Sequence, residues 1–467
     1  MFEQLYLHQK QYSLQLRKEA IDLRLEHLKT LENLIDSNQK EFVQALKEDF
    51  NKPEMETLTT EIYPLLMELR HAQKQLRNWV KPERVPAPLF LKGSQSYIHY
   101  EPRGVCLVIS PWNYPVLLTL GPVISAIAAG NTCVVKPSEY TQATTTLIAR
   151  LLNGAFAEEF IRVVEGGPET TQNLLKQPFD HIFFTGSTQI GKLVMEAAAK
   201  NLSSVTLELG GKSPTIIDNT ADLDLAAEKL LWSKFMNAGQ TCVAPDYLFI
   251  QETVYPSFVR LFTQKLANIF GKEPAQRKAY ADYARIISHK HCLRLKEMQA
   301  EALAQGAGIL FGGESDENTR YYSPTVIENV DVHSRLMQEE IFGPILPLMK
   351  YKDITEVIHF INERPKPLAL YVYSHSEMTI EAVQSQTSSG GLVINDSVIH
   401  LGNDNLPFGG VGESGMGTSH GIHGFKTFSH GKSVLRQGWG GKLLGLMYPP
   451  YTKQKMEVIK NMIRWRV

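Results

Sequence analysis

Between residues 104 and 184 the chain repeats one pattern, a short β-branched apolar run followed by a helical stretch and then another run. Val105-Cys106-Leu107-Val108-Ile109 and Thr132-Cys133-Val134-Val135 are separated by the apolar stretch from Val116 to Ala129, and Arg162-Val163-Val164 and His181-Ile182-Phe183-Phe184 follow. Strands this continuously apolar have no face to offer to water, so they belong in a parallel sheet covered by helices on both sides. A second alternating block runs from Thr215-Ile216-Ile217 through Tyr247-Leu248-Phe249-Ile250 and Leu370-Tyr371-Val372-Tyr373 to Gly391-Leu392-Val393-Ile394-Asn395. The fold class is α/β with two such domains, since 467 residues exceed what one hydrophobic core usually serves.

The flanks differ from these blocks. Residues 1 to about 80 place Leu14, Ile21, Leu25, Leu28, Leu31, Leu34 and Ile35 at helical spacing, which predicts several amphipathic helices. Pro82, Pro86 and Pro88 end that pattern, and Ser94 to Tyr100 finishes in strand-like alternation, predicting a hairpin arm away from the main body. The far end is basic, with Lys453, Lys455, Lys460, Arg464 and Arg466 against Glu457, and Met456, Ile459 and Ile463 share one helical face. Three readings fit this tail: weak peripheral contact with a membrane, a cap on a substrate entrance, or packing on its own body or a partner subunit.

Composition narrows the function classes. A net charge of −1 supplies no field for nucleic acid, and a nucleic-acid partner is not expected. Cys106, Cys133, Cys242 and Cys292 are far apart with no C-x-x-C pair, the usage of a reducing compartment. No basic segment followed by an apolar one opens the chain, and no run approaches the roughly 18 apolar residues of a membrane span, so a cytoplasmic protein is expected. His289 and His291 beside Cys292 make a short polar patch on a helix surface without a third ligand, and no metal site is expected.

Several polar residues interrupt the apolar pattern. Thr185-Gly186-Ser187-Thr188-Gln189-Ile190-Gly191-Lys192 follows a strand and opens a helix, where backbone N–H groups can hold a pyrophosphate. Leu193 stands where a P-loop needs a hydroxyl for Mg²⁺, which removes the nucleotide-hydrolase reading, and the segment is not G-x-G-x-x-G either. Taken alone it is a cofactor loop or an ordinary tight turn. Lys136-Pro137-Ser138-Glu139 puts two charges at the carboxyl end of a buried strand, where α/β sheets bind ligands, the alternative being a solvated strand end.

Glu208 sits in an apolar strand run that ends at Gly210-Gly211, and burial there would raise its pKa toward that of a general base; the alternative is a structural glutamate paired with a lysine. Asn113, between Pro111 and Pro115, is an amide at a strand end that suits either an oxyanion or a turn. Cys242 closes the polar turn Asn237-Ala238-Gly239-Gln240-Thr241, so its thiol ends an element, whereas Cys106 and Cys133 lie inside apolar strands. Trp232 and Phe235, just before that turn, either line a substrate tunnel or belong to the core.

Together these segments resemble the NAD(P)-dependent aldehyde dehydrogenase superfamily over most of the chain. The matching runs, in the family's order, are Pro111-Trp112-Asn113-Tyr114-Pro115, Lys136-Pro137-Ser138-Glu139, Phe184-Thr185-Gly186-Ser187, Leu207-Glu208-Leu209-Gly210-Gly211-Lys212, Gly239-Gln240-Thr241-Cys242, Glu339-Glu340-Ile341-Phe342-Gly343-Pro344 and Pro407-Phe408-Gly409-Gly410. Cys242-Val243-Ala244-Pro245-Asp246-Tyr247 and Gly412-Glu413-Ser414-Gly415-Met416-Gly417 are similar to the class 3 branch, which includes fatty and aromatic aldehyde enzymes.

The resemblance implies Cys242 as nucleophile, Glu208 as general base, and Asn113 with the Cys242 N–H as oxyanion donors. It implies Lys136 and Glu139 at the cofactor ribose, Gly186 and Ser187 at the pyrophosphate, and Glu340, Phe342 and Trp112 at the nicotinamide end. It also implies a Rossmann-type NAD(P)-binding domain at 1–82 and 101–209, a catalytic domain at 210–423, an oligomerisation arm at 83–100 and 424–440, and a tail at 441–467. The expected reaction is oxidation of a medium- or long-chain aliphatic or aromatic aldehyde to the acid. NAD is the expected cofactor with NADP tolerated, and a homodimer the expected assembly. A cysteine hydrolase or CoA-dependent acyl transferase is the rival chemistry, and a non-catalytic binding or structural protein the other rival. Glu208 favours water over CoA as the acyl acceptor, and Lys136, Glu139 and Glu340 would have no task in a hydrolase.

Overall fold

The computed structural model describes residues 2–91, 93–438 and 444–464. Two parallel sheets form its centre, and the helical N-terminal segment packs onto the first. Helices Phe2–Leu16, Ile21–Ser37, Gln39–Phe50 and Tyr63–Trp79 bury Leu28, Leu31, Ile35, Leu65, Leu69 and Leu76; of the expected stripe, Ile21, Leu25 and Leu34 are half-buried at its edge and Leu14 is exposed. Helix Leu117–Ala129 is apolar on nearly every side and buried accordingly. Its first turn is capped from outside, because the Glu61 carboxylate accepts from the N–H groups of Val116 at 2.8 Å and Leu117 at 3.3 Å.

The first sheet has six strands in the spatial order Gly415–Met416, Ser204–Glu208, His181–Thr185, Val105–Ile109, Thr132–Lys136 and Ile161–Val163. All neighbours are parallel except the first pair. The strand order reverses between Val105–Ile109 and His181–Thr185, so the crevice outside their carboxyl ends is a topological switch point, the usual ligand site of an open α/β sheet. The short strand Gly415–Met416 runs antiparallel to Leu207 and Glu208. Chain that follows the second alternating block therefore returns to the first sheet, a long-range pairing that no local pattern encodes.

The second sheet has seven strands, in the order Gly308–Phe311, Thr325–Glu328, Ile345–Tyr351, Tyr247–Gln251, Pro214–Ile217, Ala369–Tyr373 and Gly391–Ile394, parallel except for the first pair. A separate antiparallel sheet joins Glu83–Val85, Gln95–Pro102 and Ser429–Arg436. Glu83–Val85 and Ser429–Arg436 lie within the two segments expected to form the arm, while Gln95–Pro102 overruns the first by two residues; positions 439–440 of the second segment and 441–443 and 465–467 of the tail, Arg466 among them, fall outside the described residues. The tail helix Lys453–Arg464 contributes no buried side chain, and Met456 and Ile463 are exposed. Among the described residues no helix is long and apolar enough to cross a membrane.

Candidate active site

The turn that delivers Cys242 has an unusual backbone. Helix Leu223–Phe235 ends, and Asn237, Ala238 and Gly239 then take φ of 53°, 52° and 72°, three consecutive residues in the left-handed region. Each non-glycine residue there costs about 1–2 kcal/mol, so other bonds must hold it. The Asn237 N–H donates to Glu56 Oε2 at 3.0 Å, and its Nδ2 donates to the carbonyls of Asn113 at 2.8 Å and Gln240 at 3.2 Å. Gln240 Nε2 donates to the carbonyls of Asn237 at 3.0 Å and Arg285 at 3.1 Å, while its Oε1 accepts from the Ile287 N–H at 2.9 Å. Gly239 is compulsory, because a methyl group there would stand 2.4 Å from the Gly343 carbonyl oxygen.

Asn113 is buried and donates through Nδ2 to the Gln240 carbonyl at 3.1 Å. An amide nitrogen carries two hydrogens, so one donor of Asn113 remains after this bond is made. Next to it, the Tyr114 hydroxyl lies 2.6 Å from Thr241 Oγ1. Two asparagines and a tyrosine thus clamp both sides of the segment that leads to the sulfur. Cys242 itself is half-buried. Burial pushes its thiol up to about 12, the Glu340 and Glu208 charges add to the rise, and the N–H groups of Cys242 and Val243 oppose it. The sulfur is therefore a thiol at neutral pH before a substrate or cofactor changes its surroundings.

Glu208 ends its strand almost fully buried. Its Oε1 accepts from Ser419 Oγ at 3.1 Å, and its Oε2 has no partner. Burial pushes the carboxyl up to about 8, against the Ser419 hydrogen bond and the His420 charge. Several other buried polar atoms among the described residues also lack a protein partner, so what distinguishes this oxygen is its place at the strand end, where it can accept from a water or a substrate. Glu340 is half-buried; loss of hydration first and the Asp246 charge second push its carboxyl up to about 8, with the Gly211 N–H, Arg294 and Lys212 opposing. It packs so closely on the backbone that a methyl group at Gly210 would stand 2.2 Å from its Oε2. Asp246 anchors the surroundings, pairing with Lys212 at 2.8 Å and Lys234 at 3.7 Å.

The crevice at the switch point carries the other residues. Phe342 has φ of 49°, and its ring meets Trp112 edge to face at 5.3 Å. Lys136 is buried and turned onto its neighbours, with Nζ donating to the Pro137 carbonyl at 2.8 Å and pairing with Glu139 at 3.3 Å. Ser187 caps helix Thr188–Ala199, and Gly186 lies against the Phe184 ring. The fit to a nicotinamide dinucleotide rests on the donor set: a helix N-terminus beside a strand end, and a buried lysine with an adjacent carboxylate.

Some expected placements differ. Cys292 is buried, because it shares the inward face of helix His289–Ala304 with Leu295 and Met298. Phe235 packs against Phe262 and Phe270 as a core residue, and Trp232 is exposed. Glu56 and Ser419 escaped the sequence reading: they lie 181 and 211 residues from the groups they bind, and no local pattern distinguishes them. Among the described residues no group of three His, Cys, Asp or Glu side chains could hold a metal.

Comparison with known proteins supplies the family. The aldehyde dehydrogenase family model matches residues 8–434. The chain is 44% identical to 4,4'-diaponeurosporen-aldehyde dehydrogenase of Staphylococcus aureus over 98% of each chain. It is 44% identical to the dimeric NADP-preferring aldehyde dehydrogenase of Rattus norvegicus, over 89% of this chain and 90% of that one. Among solved structures, the substrate-bound state of Staphylococcus aureus AldH superposes with a TM-score of 0.93 at 43% identity, covering 99% of each chain. A match that runs unbroken through both sheets and both sides of the crevice leaves one assignment: the chain is an oxidoreductase belonging to the aldehyde dehydrogenase family.

Proposed function

We propose that this protein oxidises a medium- or long-chain aliphatic or aromatic aldehyde to its carboxylic acid through covalent intermediates on Cys242. The observation that carries the reading is the set of unspent groups around one sulfur: the second N–H of Asn113, the partnerless Oε2 of buried Glu208, and the thiol at the end of a backbone held under strain.

An aldehyde does not surrender hydride until its carbonyl carbon becomes tetrahedral. Cys242 attacks that carbon, and the Asn113 amide and the Cys242 N–H receive the negative charge that develops on oxygen. A neutral amide suits this task, because it cannot protonate the thiolate. Lys136, Glu139, Gly186, Ser187, Glu340, Phe342 and Trp112 would hold NAD or NADP in the crevice, and the cofactor supplies the hydride acceptor that leaves a thioester on the sulfur. Glu208 then takes a proton from water, whose oxygen joins the acyl carbon as the carbon–sulfur bond opens.

Glu139 repels a 2′-phosphate while Lys136 attracts one, so the reading is NAD as the cofactor used, with NADP tolerated. The NADP preference in the name of the rat relative sets the competing outcome. The substrate class rests on the absence of a charged anchor in the recognised motifs; the name of the bacterial relative gives its aldehyde as 4,4'-diaponeurosporen-aldehyde. The same reading takes 1–82 and 101–209 as the cofactor domain, 210–423 as the catalytic domain, and the small antiparallel sheet as an arm that pairs two copies into a homodimer. Unpaired cysteines fit a cytoplasmic setting. The exposed basic helix Lys453–Arg464 fits a weak peripheral contact with anionic lipid.

The test is the appearance of reduced nicotinamide with hexanal, repeated for Cys242→Ala and in parallel with saturating NAD and NADP. Activity that survives Cys242→Ala overturns the mechanism, and a much faster rate with NADP overturns the cofactor reading. A clear preference for acetaldehyde over decanal and benzaldehyde overturns the substrate class.

A further inference from the structure

Ser419 and His420 are consecutive, and each faces a buried carboxylate. Ser419 Oγ donates to Glu208 Oε1 at 3.1 Å, and His420 Nδ1 lies 3.4 Å from Glu68 Oε2. The backbone is committed to this placement. His420 takes φ of 68°, a region that a non-glycine residue occupies at a cost and only when its surroundings enforce it. The enforcement is visible on both sides. The Ser419 N–H donates to the Phe408 carbonyl at 2.7 Å, and the Phe408 ring lies 5.5 Å from the imidazole.

The charges around this imidazole come from three parts of the chain. Glu68 projects from helix Tyr63–Trp79, Glu208 ends its strand, and Asp404 and His400 lie on the segment after the second sheet. His71, on the Glu68 helix, faces Asp404. Burial disfavours a charged imidazole, but Glu68, Glu208 and Asp404 together outweigh it and hold His420 above the ordinary histidine value. Glu68 is the close partner, and its side chain is only 4% exposed.

Glu208 has a difficulty that this arrangement addresses. It must be ionised to take a proton from water, yet it is enclosed by protein and carries a single hydrogen bond. We propose that the Glu68–His420 pair is a positioning element for Glu208, an imidazolium anchored beside the base that keeps its carboxylate form available for thioester hydrolysis. Glu68 fixes and neutralises the imidazolium on its far side, so the local charge stays balanced when Glu208 is protonated. The inference rests on the reading of Glu208 as general base.

The experiment isolates hydrolysis from the rest of the reaction and uses no cofactor. 4-Nitrophenyl acetate acylates Cys242, releasing nitrophenolate, and the decay of the acetyl-enzyme is followed by intact-protein mass from about pH 6 to about pH 10. His420→Asn and Glu68→Gln are each expected to move the midpoint of the pH–rate curve upward. Decay near neutrality then slows on the order of tenfold and the rate at the highest pH is unchanged, the signature of a lost cation beside a carboxylate. The double variant is expected to be no slower than His420→Asn, because Glu68 acts through the imidazole. Glu68→Gln leaves the histidine in place and serves if His420→Asn fails to fold.

An unmoved midpoint, or a rate lowered equally at every pH, overturns the proposal and leaves the pair a packing contact. Glu208→Gln separates the two levels of the argument. If it abolishes the pH dependence while the pair variants leave it in place, only this inference fails; if the dependence survives Glu208→Gln, the base reading fails and takes the inference with it.

Discussion

The main-chain N–H of Asn237 donates to the Glu56 carboxylate across 3.0 Å, tying the helical N-terminal segment to the turn that carries Cys242. Burial pushes Glu56 up to about 7, with Lys52 and the Asn237 N–H opposing. Lys52 is itself fully buried, paired with Glu61 at 2.6 Å and seated 4.0 Å above the Tyr114 ring, whose hydroxyl meets Thr241. Removing one member leaves an unpaired charge or a strained turn without its support. The turn that carries Cys242 is thus held by residues nearly 200 positions earlier in the chain.

Glu56→Ala should therefore loosen the turn without touching the substrate. A charge-assisted hydrogen bond to a buried N–H contributes about 1.5–3 kcal/mol, so acylation of Cys242 should fall by about tenfold or more. Glu56→Gln retains an acceptor and should recover most of the loss. Single-turnover acylation rates compare the two.

Glu208→Gln should leave the first turnover close to normal and stall the second, because only thioester hydrolysis needs the carboxylate. Acyl-enzyme should accumulate and be visible by intact mass. In the unaltered protein, hydrolysis should rise as pH climbs through about 8, where the raised carboxyl ionises. Loss of the first hydride transfer in Glu208→Gln would place the residue earlier, in activation of Cys242.

Alkylation of Cys242 by iodoacetamide should be slow at neutral pH without cofactor. A thiol pushed up to about 12 gains thiolate roughly tenfold per pH unit, and the rate should follow that slope. Added NAD should accelerate labelling, since its cationic ring favours the thiolate. Peptide mapping distinguishes Cys242 from the buried Cys106, Cys133 and Cys292.

Gly239→Ala and Gly306→Ala form a matched pair. Both glycines have positive φ, 72° and 100°, but the first would drive a methyl group to 2.4 Å from the Gly343 carbonyl and the second would meet nothing within 4 Å. Gly306→Ala should cost about 1 kcal/mol from backbone strain alone. Gly239→Ala should cost more than about 2 kcal/mol and abolish acylation, as the clash adds to the strain. Urea midpoints and acylation rates decide this.

What the amino-acid sequence determined by itself was local. Apolar runs of strand length between helical stretches dictated buried parallel sheets, because nothing else satisfies both their backbones and their side chains. Contiguous polar motifs placed Asn113, Lys136, Ser187, Glu208 and Cys242 at element ends, and the ordered run of those motifs carried the family. The order of strands, and hence the crevice between Ile109 and Thr185, was decided by the tertiary structure, since either neighbour buries the same apolar surface. The groups that hold the chemistry in place belong there too. Glu56 under Asn237, Ser419 on Glu208 and Glu68 against His420 are single side chains whose partners lie hundreds of residues away. Periodicity reports which face of an element is buried; it carries no information about which distant polar group will satisfy a buried donor or charge.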